Sequence, residues 1–346
     1  MNKPEHSDRL LAANLKLKER NYWLKKLSGE LIKSYFPADF LKEKDEKIVE
    51  RIGFRFPAEC FSRLQELGGG SDVKMHIVLA AFITVLLHKY TGNDDIIIGT
   101  TIYRQVEQAD FINTVLVLKN VLHRGMTFRE LLREMKQTVV EAVENRNYPV
   151  DILAEQLNMT YALEDDFPLF DVSVILQKIH DKNYLLGINH NILFSFPGTG
   201  ADPGVGIEYN SLLYKRTTIE TIARHFTRLV EEGLDNLDAP LSQICMITGE
   251  EKNQVLVEFN KTQTDYPRDK TVSQLFEAQV EKTPDRAAVV ETVGTDAKTI
   301  SYSELDEISG VLAAYLLNEG LQMEEAVGIG SHPSIEMIVG VLAILK

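Results

Sequence analysis

Cysteine is scarce in this chain: two in 346 residues, Cys60 and Cys245, far apart in sequence. One distant pair is no disulfide framework, and the expectation is two buried thiols in a reducing compartment. No CxxC, HxxxH or HExxH spacing occurs, so a zinc or iron–sulfur centre has no ligand set. No GxxxxGK[ST] or dinucleotide fingerprint is present, and no GxSxG elbow. Positive charge is also short, with 37 Lys and Arg against 51 Asp and Glu, a formal net charge of −14. That balance argues against a nucleic-acid binder, since phosphate-backbone affinity rests on clustered cations. The opening "MNKPEHSDRLLAANLKLKERNYW" has no apolar core of a signal peptide. No charge-free apolar stretch reaches the ~18 residues of a membrane span. These absences make a cytoplasmic protein with no membrane partner the expectation.

What is present is ordinary globular composition, 44% hydrophobic and 25% charged, in a length that suits two domains. Periodicity predicts a helix over 8–28, stopped at Gly29, and a strand in "RIGFRFP" ending at Pro57. "AECFSRLQEL" reads as a short helix broken by Gly68-Gly69-Gly70. A long apolar helix follows over 72–92, with Asp72 as its expected cap and Gly92 at its C-terminal stop. "DDIIIGT" reads as a buried inner strand, and 109–122 holds another. The helix over 126–145 opens on the capping-box pair Thr127 and Glu130, and 148–158 starts a shorter one at Pro149. Strands are expected in 169–177, 184–196 and 204–214. An amphipathic helix over 218–234 has Thr217 and Glu220 at capping-box spacing. Residues 248–271 are polar, as a linker would be. Beyond them a helix, a hairpin, a capped helix over 301–320, a strand over 324–330 and a helix over 334–346 suggest an α/β unit. The chain thus divides into 1–250 and 251–346.

Chemistry is hard to find by residue type alone. Among the eight histidines, His190 is the best lone candidate for a general base. His76, His88 and His225 read as residues at helix boundaries or flanks. Glu164, Asp165, Asp166 and Asp171 could form an acid–base or metal cluster, or simply a solvated loop ahead of a strand.

A family resemblance rests on several stretches taken in order. "DDIIIGT" followed by "DFINTVLVLKNVL" carries Gly99, Asn113 and Thr114, where condensation domains of non-ribosomal peptide synthetases usually read Gly-x-Phe-Val-Asn-Thr. "ENRNYPVDIL" is similar to the next signature through Tyr148, Pro149 and Asp151. "DFPLFDVSVILQ" matches the last through Pro168, Leu169, Phe170, Asp171 and Gln177. Beyond these, "ISYSEL", with Tyr302 and Glu304, resembles the first core motif of an adenylation domain, and "SIEMIVGVLAILK" the start of the second.

The resemblance implies a chloramphenicol-acetyltransferase-like lobe, a mixed sheet flanked by helices, in a partial condensation domain over 1–250. It implies a linker and the incomplete α/β start of an adenylation domain over 251–346. The family joins carrier-bound aminoacyl or peptidyl thioesters through amide bonds, with phosphopantetheine-loaded carriers, and with ATP and Mg where adenylation is complete. No cofactor is expected to bind this chain directly. Its catalytic His-His-x-x-x-Asp-Gly motif belongs to an N-terminal lobe and has no counterpart in this sequence, so no catalytic residue is assigned. The matched residues are expected to serve structure: Asn113 at a strand junction, Pro149 at a helix start, Asp171 accepting backbone donors. The loop 193–206 resembles the family's crossing segment. The expected role is a synthetase part inactive alone. The alternative is a docking module for a carrier protein or a complementary subunit, and an exposed lobe face would be open to self-association. A free-standing acyltransferase fits least, for want of the histidine motif.

Overall fold

A computed structural model describes residues 11, 13–29, 31–41, 47–104, 113–157, 167–200, 204–293 and 296–346. The chain forms two compact units, Met1–Phe259 and Asn260–Lys346.

The first unit is built on a six-stranded sheet of order β1-β6-β5-β4-β2-β3. Its strands are β1 (Val49–Arg55), β2 (Asp95–Thr101), β3 (Val115–Val121), β4 (Val172–Leu176), β5 (Ile192–Phe196) and β6 (Gly204–Asn210). The β2–β4 and β4–β5 pairs are parallel and the others antiparallel, so the sheet is mixed. β4 and β5 are buried along their whole length, and β2 from its second residue, as inner strands covered on both faces are. Helices α1 (Leu17–Lys26), α2 (Ala58–Gly68), α3 (Asp72–Thr91), α4 (Phe128–Glu144), α5 (Val150–Gln156) and α6 (Arg216–Asp235) flank it.

At the centre lies α3, whose residues from Met75 to Leu87 are all buried. A helix apolar on every side needs cover on every side, and α2, α4, α6 and the sheet supply it. By length and composition α3 is the one helix among the described residues that could cross a membrane, yet 72% of its apolar window is buried inside the protein. The aromatic seam beside it joins β1, β5 and α6: Phe226 lies 5.7 Å from Phe194, 5.8 Å from Phe56 and 5.9 Å from Phe196, centroid to centroid. Trp23, 1% exposed, donates its indole N–H to the Asn145 carbonyl at 2.9 Å and so pins α1 to the end of α4.

Several local expectations change. Ser71, not Asp72, caps α3, accepting from the Lys74 amide. The Asp72 carboxylate instead takes the amide and hydroxyl of Thr199, both at 2.7 Å, which ties down part of the loop 193–206. Most of the rest of that loop belongs to β5 and β6, and 201–203 lie outside the described residues. The Thr217–Glu220 capping box does not form. The helix begins two residues earlier, with Lys215 as its cap, and Glu220 accepts from Arg216. The strand over 184–196 is shortened to β5, because Lys182–Leu185 coil into a 3₁₀ turn and Gly187 takes a φ of 84°. Cys60 is buried but Cys245 is exposed.

The second unit has α8 (Val272–Lys282), a hairpin of β7 (Ala287–Val293) and β8 (Asp296–Ser301), α9 (Tyr302–Asn318) and α10 (Ile335–Leu345). Ahead of it, α7 (Gly249–Asn253), capped reciprocally by Thr248 and Glu251, closes the first unit where a plain linker was expected. Residues 324–330 form no strand, since no neighbouring strand pairs with them. The core is small: Ile300, Leu305, Ile335, Val339 and Leu342. On α9, Ile308, Val311 and Tyr315 are exposed at 48%, 69% and 57%.

Candidate functional site

The matched residues of the first unit lie along β2, β4 and the segments that lead into β3 and α5, with Asp171 and Gln177 at opposite ends of β4. Gly99 pairs with Ser173 across the parallel β2–β4 seam. Over it lies the Phe170 ring: a Cβ at Gly99 would stand 2.2 Å from Phe170 Cε2. Only a residue without a side chain allows that approach. Asn113 closes the turn into β3. Its amide donates to the Val115 carbonyl at 2.6 Å and the Arg146 carbonyl at 3.2 Å, and its oxygen accepts from the Val115 amide. Thr114 Oγ1 donates to the Tyr184 carbonyl at 2.8 Å. Tyr148 is buried and donates to Gln156 Oε1 at 2.9 Å. Pro149, with φ −65°, stands at the start of α5, and Asp151 lies in its first turn. Pro168 is buried beside Leu169 and Phe170.

Asp171 departs from expectation in its donors. Its carboxylate takes Asn191 Nδ2 at 2.6 Å and pairs with Lys33 Nζ at 3.2 Å, whereas the backbone amides of Asn191 and Ile192 go to its main-chain carbonyl. Asn210 Nδ2 extends the network to Asn191 Oδ1 at 3.1 Å. The result locks the entry to β4 against the start of β5 and the end of β6.

Gln177, at the exit of β4, leads to a groove of about 470 Å³. Its Nε2 donates to Ser195 Oγ at 2.7 Å. Register places Ser195, Gly206, Gly53 and Arg51 on one face, because Ser195 pairs with Gly206 and Gly206 with Gly53. That face lies opposite the one on which Phe194 and Phe196 meet Phe226. Arg51 lays its guanidinium over Gly206, where a Cβ would come within 2.7 Å of Nη2. The groove is therefore cationic, with a glycine floor and one amide–hydroxyl pair. Sequence reading missed Arg51, Arg55, Ser195 and Gly206; the alternation in "RIGFRF" and "GVGIEYN" was the available signal.

Four of the histidines, His76, His180, His190 and His225, are buried rather than presented as exposed bases. His76, taken as a helix-boundary residue, is 1% exposed, and His180 equally so. Their rings meet edge-on at 4.4 Å. The Leu176 amide donates to His180 Nδ1, so its proton sits on Nε2. Thr100 donates to the Val174 carbonyl, so its oxygen accepts from His76 Nε2, leaving His76 Nδ1 a lone pair. Burial lowers the His76 pKa to about 4, and burial with the neighbouring His76 lowers that of His180 to about 2. His190 is 8% exposed and is lowered to about 3 by burial and the nearby Lys47 charge. Its Nδ1 faces the Ile188 carbonyl at 3.1 Å. A base so weakened is a poor acceptor of an amine proton at neutral pH. His225 bridges the Tyr90 hydroxyl at 2.6 Å and Glu251 at 3.1 Å, joining α3, α6 and α7. Among the described residues no group of three His, Cys, Asp or Glu could hold a metal ion. Glu164, Asp165 and Asp166 lie outside them.

In the second unit Ser301 and Glu304 cap α9 reciprocally, and the backbone and hydroxyl of Ser301 hold the Glu304 carboxyl below its usual range. Tyr302 rests 6.0 Å from the Phe276 ring. These two matched residues build a helix start.

Comparison with known proteins agrees with this layout. A condensation-domain model matches residues 5–256, and an AMP-binding-enzyme model matches 276–346. The chain belongs to the condensation-domain family of non-ribosomal peptide synthetases, here followed by the beginning of an AMP-binding region. It is 34% identical over 349 residues to bacitracin synthase 3 of Bacillus licheniformis, covering 95% of this chain and 5% of that one. It is 32% identical over 357 residues to tyrocidine synthase 3 of Brevibacillus parabrevis, with 97% and 5% covered. The chain thus spans about 5% of the length of these two relatives. A solved four-domain nonribosomal peptide synthetase bound to AMP and glycine shares the fold with a TM-score of 0.65 at 14% identity, over 88% of this chain and 25% of that one. The X-domain from teicoplanin biosynthesis does so with 0.58 at 19%, over 69% and 60%.

Proposed function

We propose that the first unit is the chloramphenicol-acetyltransferase-like C-terminal lobe of a condensation domain. In this reading it forms one wall of the passage where a carrier-bound thioester meets an acceptor amine. The carrying observation is that Phe170, from one matched stretch, is seated on Gly99, from another, while Gln177 at the exit of the same strand β4 donates to Ser195. The wall positions; it does not take the proton. His76, His180 and His190 are buried and weakened, so the base comes from the histidine motif of a complementary lobe. Positioning alone supplies a large share of acyl-transfer rate, but only when both walls are present.

The second unit is read as the opening of an adenylation domain, whose complete form would use ATP and Mg. The working partners are a phosphopantetheine-loaded carrier and a lobe or subunit bearing the histidines, in the cytoplasm. A photoreactive phosphopantetheine analogue on a carrier protein tests the wall. Crosslinks to Arg51, Gln177 or Ser195 support it, and crosslinks confined to α4 or α6 contradict it. A pure docking module would hold the carrier with no label in the groove.

A further inference from the structure

The groove at the exit of β4 holds a cation with no counterion. Arg51 lines it with Gln177, Ser195, Gly53 and Gly206, and no Asp or Glu does. Glu208 stands directly opposite Arg51 in the β1–β6 register, yet its carboxylate pairs with Lys182. Among the described residues Arg51 has no ion-pair or hydrogen-bond partner. Its guanidinium is laid over Gly206, where a Cβ would come within 2.7 Å of Nη2 and 2.9 Å of Nε. Gly53, paired with Gly206, leaves the floor beside it open: a Cβ there would meet only the Val205 carbonyl, at 3.8 Å.

A second unused donor sits next to this cation. Ser195 is 5% exposed and accepts from Gln177 Nε2 at 2.7 Å. That bond uses a lone pair, so the hydroxyl proton is left with no acceptor among the described residues. Ser195 is the register partner of Gly206, and directly opposed residues of antiparallel strands lie ~5 Å apart. Both side chains stand on one sheet face, so the guanidinium over Gly206 neighbours the Ser195 hydroxyl. Gln177 Nε2 keeps a second proton beyond the one it gives to Ser195. Charged and neutral donors thus converge on open space with no acceptor of their own, the complement of a carboxylate.

Resting on the reading of this groove as a wall of the passage, we propose that it binds the side-chain carboxylate of an acidic aminoacyl group on the thioester substrate, with Arg51 as the residue that reads the charge. The guanidinium gives a carboxylate two parallel N–H donors. Ser195 and Gln177 supply an O–H and an N–H to the lone pairs that remain. A glutaminyl side chain forgoes the charge, and a lysyl one would set a second cation against Arg51. The phosphate of a carrier arm has similar chemistry, but it lies at the far end of that arm from the thioester. An aspartyl or glutamyl carboxylate lies only a few bonds from it. Gln177 and Ser195 belong to the wall where the thioester meets the amine, so the side chain is the source that reaches them.

Ligand-observed NMR titration of the full chain tests this, using probes in which an amide replaces the thioester. They are N-acetylglutamyl aminopantetheine, its glutaminyl counterpart, and the glutaminyl probe carrying the arm's phosphate. The variants are Arg51→Gln, Arg51→Glu and Ser195→Ala, with folding verified by circular dichroism. The expected result is ~10-fold tighter binding of the glutamyl than of the glutaminyl probe, the scale of one charge-assisted hydrogen bond. That advantage should vanish in Arg51→Gln, reverse in Arg51→Glu and shrink in Ser195→Ala, and it should fall as salt rises. If Ser195→Ala does not fold, the two variants of the exposed Arg51 decide. Equal binding of the glutamyl and glutaminyl probes, or an advantage that survives Arg51→Gln, would overturn the proposal while leaving the wall reading in place. An Arg51-dependent preference for the phosphorylated probe, with none for glutamate, would give the site to the arm and overturn the side-chain assignment. No saturable binding of any probe would overturn the wall and this proposal with it.

Discussion

Phe170 occupies the space that a side chain at Gly99 would need, with the ring edge 2.2 Å from an ideal Cβ. Two stretches about seventy residues apart in sequence are thereby made one contact, across a parallel seam that has only the Gly99–Ser173 pair in register. Gly99→Ala should destabilise the first unit by ~1–3 kcal/mol through overpacking. Phe170→Leu alone should also destabilise. The double variant should lose less than the sum, because the smaller side chain yields room. Urea denaturation of the four proteins measures this; strict additivity would show that the contact is not what constrains Gly99.

Asp171 is almost fully buried, with Asn191 and Lys33 on its carboxylate. Asp171→Ala strands the buried Asn191 amide and removes one ion-pair partner of Lys33, so a loss of ~1–3 kcal/mol is expected. Asp171→Asn keeps an acceptor for Asn191 and should recover part of it. A loss below ~0.5 kcal/mol for the alanine variant would mean the network holds nothing in place.

Acid should unfold the first unit through its histidines. His76, His180 and His190 have pKa values lowered by burial to about 4, 2 and 3, against 6.5 when exposed. The unfolded chain therefore takes up protons first as pH falls. Stability is full above pH 6.5, declines below it, and keeps declining to about pH 4 as far as His76 is concerned. Each histidine contributes a slope of ~1.4 kcal/mol per pH unit in that window. His76→Gln/His180→Gln should flatten the slope by two protons' worth in chemical unfolding between pH 7 and 4.5. An unchanged slope would show that both rings are already charged or accessible.

Residues 252–272 are exposed without interruption. Limited trypsin digestion should cut first at Lys261, Arg268 or Lys270, where backbone can enter a protease without unfolding a core. The first unit should survive as the larger fragment, because the core of the second is small. A first cut between β1 and the end of α6 would contradict this ranking of stability.

Much of the fold was legible from local pattern. The α3 run, the Thr127–Glu130 box and the Ile96–Ile98 strand were each dictated by spacing within a few residues. What failed depended on distant partners. Asp72 has the right chemistry to cap α3, but Thr199 claims its carboxylate and Ser71 takes the cap. His76 sits in an apolar run near a helix start; Thr100 and His180, from two other elements, decide that it is interior. Residues 324–330 carry strand-forming side chains and have no strand beside them. The site was legible through its matched stretches, which name Gly99, Phe170 and Gln177. Arg51 and Gly206 were not, because their relation exists only in the β1–β6 register.

The most direct measurement is amide formation from two carrier-bound aminoacyl thioesters. It should be run with the pure chain and with the chain plus a separately made lobe bearing the histidine motif. A two-walled passage predicts background rates for the chain by itself and turnover only in the mixture, reduced when Gln177 or Ser195 is replaced by alanine. Turnover by the pure chain would contradict the assignment of the base to another lobe. A mixture that associates but stays at background would contradict the passage itself.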